Sequence, residues 1–113
     1  MNTLMLVGRL VRDAQVKTLD SGKEVTTITL AINRGYKNCD GVYETDFIDC
    51  TLWDGLAVNI HEYCRSGDLI GIRGRLMTSV YEKDGNNHKV LDVVAERISF
   101  LASSKKNLEE VKT

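Results

Sequence analysis

In the stretch Asp46-Phe-Ile-Asp-Cys-Thr-Leu-Trp53, strict alternation sets Ile48, Cys50 and Leu52 on one face and Phe47, Asp49, Thr51 and Trp53 on the other. The first face is apolar and reads as core. The second interleaves two large rings with polar groups, which a buried face carries only at a desolvation cost, so both rings are expected to be at least partly exposed. The stretch Leu69–Tyr81 repeats the theme: Ile70, Ile72, Leu76 and Val80 share one side, while Arg73, Arg75 and Tyr81 share the other with Met77 and Ser79. Tyr36 and Lys37 follow Arg34 at the mouth of a polar loop, and Arg9 and Arg12 lie near the start. Exposed rings accept any base by stacking, worth about 1–3 kcal/mol per base, while neighbouring cations follow the phosphates. Sequence-tolerant binding of single-stranded nucleic acid is therefore the chemistry these residue types suit.

Other chemistries fit less well. Catalysis needs a nucleophile with its base, or paired carboxylates in a pocket; Asp46, Asp49 and Asp54 read instead as polar residues on or beside one strand. No glycine-rich phosphate loop precedes a helix. His61 and His88 lack ligand spacing, so neither a metal nor any other cofactor is implied. Cys39, Cys50 and Cys64 match neither a disulfide framework nor a zinc knuckle and read as reduced, buried thiols. Tyr43 and Tyr63 read as packing in the loop and on the helix. The 15 Lys and Arg against 16 Asp and Glu leave a formal charge of −1, so bulk positive charge cannot hold a nucleic acid and a local basic track must. The competing class is a protein-interaction module, such as a replication-restart protein, because Tyr, Trp and Arg are also interface hot spots. Steep salt dependence belongs to a DNA reader and separates the two.

The elements that must position these groups fit one domain of 113 residues. Residues 3–19 read as one long strand interrupted at Gly8. A turn at Asp20-Ser21-Gly22 leads to a β-branched strand, Val25–Ile32. A hairpin loop over Gly35–Glu44 precedes the strand ending at Trp53. Leu56, Ile60 and Cys64 recur every four residues, with Gly67 as a stop, and predict one short helix over Gly55–Arg65. Two further strands, Leu69–Tyr81 and Lys89–Phe100, flank a turn at Asp84–Asn87, and Gly71 and Gly74 permit curvature. Three strands, a helix and two strands predict an all-β fold with one short helix, a five-stranded OB-fold Greek-key barrel over residues 1–101. Residues 102–113 read as a flexible C-terminal tail. With no leader pattern or membrane-length apolar run, the reading is a cytoplasmic, nucleoid-associated protein.

Four segments in this order, Leu6-Val-Gly-Arg-Leu-Val-Arg-Asp13, Ile28-Thr-Leu-Ala-Ile-Asn-Arg34, Asp46–Trp53 and Gly71-Ile-Arg-Gly-Arg-Leu76, closely resemble bacterial single-stranded DNA-binding proteins of the Gram-positive type. The resemblance covers about residues 1–101. It implies stacking on Tyr36, Phe47, Trp53 and Tyr81, polar or basic DNA contacts at Arg9, Arg34, Arg73 and Arg75, and a homotetramer around which DNA wraps in replication, repair, recombination or DNA uptake. Ala14 departs from the proline that relatives often carry. Such proteins usually continue into a long linker and an acidic, hydrophobic tip, whereas this chain ends Asn-Leu-Glu-Glu-Val-Lys-Thr113; tail-mediated recruitment of replication enzymes is therefore doubtful.

Overall fold

A computed structural model describes residues 1–103. The chain runs β1 (Leu4–Leu10), β2 (Lys17–Thr18), β3 (Glu24–Lys37), β4 (Tyr43–Trp53), α1 (Gly55–Tyr63), β5 (Leu69–Lys83) and β6 (Asn86–Ala102). Hydrogen-bonded neighbours follow the order β1-β5-β6-β4-β3, and pairing of Arg9 with Ala31 and Leu10 with Leu30 joins β1 back to β3. Five strands thus close into a barrel, with β2 a two-residue addition on β3. Every pairing is antiparallel except β4 with β6, which run parallel at Cys50–Val93 and Thr51–Val94. That non-sequential order is the Greek-key connection of an OB-fold, as the element order predicted.

The alternation of β3 and β4 supplies the core. Ile28, Leu30, Cys50 and Leu52 point inward beside Leu10, Ile70 and Ile72, and α1 adds Ala57, Ile60 and Cys64. Closure needs two glycines. A Cβ on Gly8 would lie 2.7 Å from the Ala31 carbonyl oxygen, where β1 crosses from β5 to β3. A Cβ on Gly74 would collide with the Val94 carbonyl, where the β5–β6 register slips past Glu96. No helix among the described residues is long and apolar enough to cross a membrane.

Several expectations need correction. The long strand over 3–19 is two strands, because its middle bonds elsewhere: Leu10 N–H donates to Asp68 O, and Ser66 donates from its backbone N–H to Asp13 and from its hydroxyl to Val11 O. The loop expected over 35–44 is shorter, since Lys37 pairs with Tyr43 and only Asn38–Val42 turns. Leu76 and Val80 are exposed, not core, because β5 and β6 leave the barrel after Gly74 as a two-stranded ribbon. That ribbon turns on Asp84 and Gly85, both at positive φ, so Asn86 and Asn87 belong to β6. Cys39 is exposed at a hairpin tip; Cys50 and Cys64 are buried, and all three are free thiols. Tyr63 is exposed on α1, while Tyr43 packs locally under the Lys37 ammonium, 5.6 Å from the ring centroid. Ala102 ends β6, and the expected tail from residue 104 onward lies outside the described residues.

Candidate nucleic-acid interface

Because inward residues of β4 are committed to the core, Phe47, Asp49, Thr51 and Trp53 must face out. Phe47 is 67% exposed and Trp53 39%, unusual for rings of this size on a strand that buries Cys50 and Leu52 fully. They stand six residues apart, about 20 Å along the strand. Register carries cations to this surface. Arg9 on β1 pairs with Ala31, which pairs with Phe47, and these three line a depression of about 540 Å³ with Asn33 and Thr45. Arg75 pairs with Val94, which pairs with Thr51, so Arg75 lies in the row between the two rings.

Arg73 falls elsewhere. It pairs with Met5 and Arg97 and lines a second depression, of about 350 Å³, with Val7, Ser99 and Leu101. The β5–β6 bulge next to Gly74 separates its row from that of Arg75. Tyr36, 68% exposed, lies in an irregular stretch where three residues of β3 face Glu44 alone. Tyr81, 49% exposed, is on the projecting ribbon, stacked on His88.

Charge on these surfaces is mixed. The Arg34 guanidinium donates to Asp46 at 2.9 and 3.2 Å and to Glu44 at 2.5 Å. This clamp raises the arginine's pKa, first through the hydrogen bond to Asp46, and holds the Asp46 carboxyl below its ordinary value through the same bond. Arg9 spends one N–H on Gly67 O at 2.9 Å. Asp49 and Asp92 lie on the outer face too, accepting the Thr29 hydroxyl at 2.6 Å and the Thr51 hydroxyl at 3.0 Å. Burial pushes the Cys50 thiol up to about 11, with Asp49 and Asp92 adding to the rise. No cluster of three or more metal-ligating side chains occurs among the described residues.

Sequence reading missed the acid clamp on Arg34 and the ring pair at Tyr81. The first depends on partners ten and twelve residues away. The second was countable: a two-residue turn at Asp84-Gly85 places Lys83 opposite Asn86 and hence Tyr81 opposite His88.

Known proteins match this chain over the barrel. It is 42% identical over 101 residues to single-stranded DNA-binding protein B of Bacillus subtilis, covering 88% of this chain and 89% of that one. It is 42% identical over 104 residues to single-stranded DNA-binding protein 3 of Listeria innocua, covering 91% and 65%. It is 43% identical over 102 residues to the single-stranded DNA-binding protein of Bacillus cereus, covering 89% and 60%, so the chain spans less than two-thirds of those two relatives. The model of the single-strand binding protein family matches residues 1–101, the whole closed barrel save its last strand residue, and the chain belongs to that family.

Proposed function

We propose that this chain coats single-stranded DNA without sequence preference; its relatives are named as single-stranded DNA-binding proteins, and base stacking on exposed rings does not depend on sequence. The observation that carries the reading is the outward face of β4. Two exposed rings stand there on a rigid barrel wall, and strand register places Arg9 beside one and Arg75 between them. Phe47 and Trp53 form the central stacking track, which Tyr36 and Tyr81 extend on the two ribbons. Arg9 and Arg75 follow the phosphates. Arg73 and Arg34 contribute less, one by its separate row and the other because two carboxylates occupy it. Each barrel would cover about 4–16 nucleotides, binding without catalysis, with subunits of a homotetramer sharing longer strands. Exposed strands in replication, repair, recombination or DNA uptake are the targets.

Trp53 is the only tryptophan, so its fluorescence reports the track directly. Titration with a long thymidine oligonucleotide at two salt concentrations is expected to quench it, with affinity falling steeply as salt rises. Absence of binding at low salt would overturn the reading and leave the rings as a protein-docking surface.

A further inference from the structure

Residues 75–91 of the β5–β6 ribbon and its turn are all exposed, so no core demand fixes their identity. On this ribbon Tyr81 faces His88 across the ladder, with ring centroids 5.2 Å apart and planes inclined by 22°. That is an offset stack within the separation aromatic pairs prefer. The imidazole covers one face of the phenol ring, which stays 49% exposed through its remaining face and edge.

Alternation fixes which charges share the imidazole's side. Lys83, opposite Asn86, lies towards the turn; Arg75, opposite Val94, and Asp92, opposite Met77, lie towards the barrel. Glu82 and Lys89 are on the reverse face, Asp84 is in the turn, and none of these is in an ion pair among the described residues. Histidine is the side chain that ordinarily changes charge between pH 5 and 8. Its imidazolium would put a cation between Lys83 and Arg75, against the ring already assigned to base stacking.

We propose that His88 is itself a single-stranded DNA contact: Tyr81 and His88 form one two-ring platform for a base, and the protonated imidazole takes a neighbouring phosphate. The proposal rests on the single-stranded DNA reading above. A purely structural pair would stiffen the ribbon, but its contribution to DNA affinity would not depend on the charge of the imidazole.

The test uses the full chain and oligothymidine, whose bases take up no proton between pH 5.5 and 8. The chain has two histidines, so the His61→Gln variant is the control; the His61 Nδ1 is engaged with Ala14 O at 2.9 Å beside α1. Wild type and His61→Gln are expected to bind more tightly at pH 5.5 than at pH 8, by about tenfold, the low end of a hydrogen bond to a charged group. His88→Phe should bind like wild type at pH 8 and lose the gain at pH 5.5. His88→Ala should bind about fivefold or more weakly at pH 8, the low end of a stacking contribution. A His88→Ala variant that matches wild type at both pH values, or a His88→Phe variant that keeps the pH response, overturns the proposal alone. Wild type that binds no oligothymidine at either pH overturns the broader reading and this one with it.

Discussion

Trp53 closes β4 and pairs with Val25, with the fully buried Leu52 immediately before it in the chain. Its backbone is therefore held by the core while its ring remains half in water, the arrangement a stacking platform needs: fixed position and an open face. Substituting Trp53→Ala removes a ring that lies outside the buried core cluster, so the barrel should still fold. Single-strand affinity should fall by about 1–3 kcal/mol, equally for thymidine and cytidine oligonucleotides, because every base has a face to stack. Titration of both oligomers, followed by extrinsic fluorescence once the tryptophan is gone, checks it; a loss confined to one base would point to edge recognition instead. The exposure of Phe47 and Trp53 was legible from alternation alone, since the residues between them are polar or turn at least partly inward. Arg73 and Arg75 looked equivalent by the same rule, and only the slip in register opposite Gly74 separates them.

At the scale of elements, the order of strands and the single helix could be read because each barrel strand has one wet and one dry face. The ribbons could not. Beyond Gly74 both faces of β5 meet water, so the apolar Leu76 and Val80 mimic core positions without a core to fill. The other ribbon, at the ends of β3 and β4, holds its own charge in check, since Asp46 and Glu44 grip Arg34 at its base. The double variant Glu44→Gln/Asp46→Asn should free that guanidinium for phosphate, tighten oligothymidine binding and steepen the log–log salt slope by about 0.7, the increment for one phosphate contact on a single strand. The clamp also has a pH window. Asp46 is held below its unfolded value, so what the pair contributes to stability is present above the ordinary carboxyl pKa of about 3.9 and is lost as pH falls through the lowered folded value. A carboxyl carbon titration by NMR should show the Asp46 midpoint rising in an Arg34→Gln variant; an unmoved midpoint would mean the hydrogen bond is not its cause.

The described residues measure 56 × 41 × 30 Å, elongated by two ribbons that project from a closed barrel. Away from the face of β4, the outer surface of β1, β5 and β6 exposes Met5, Val7 and Leu101 around the depression that Arg73 and Arg97 also line. An apolar strip rimmed by cations on a barrel wall is the kind of surface a second subunit covers, and it gives the proposed homotetramer a testable contact. Val7 pairs with Gly71 and is half exposed, so Val7→Glu would set a charge at the apolar centre of that contact while leaving the barrel interior untouched. Sedimentation analysis should then find smaller species than the four-subunit assemblies expected of wild type; an assembly that survives the substitution would place the contact on another face. The same variant separates binding from wrapping. The rings proposed to stack are intact in it, so a short oligonucleotide should bind with wild-type affinity. A long strand should bind more weakly than to wild type, because it loses the effective concentration that linked barrels provide.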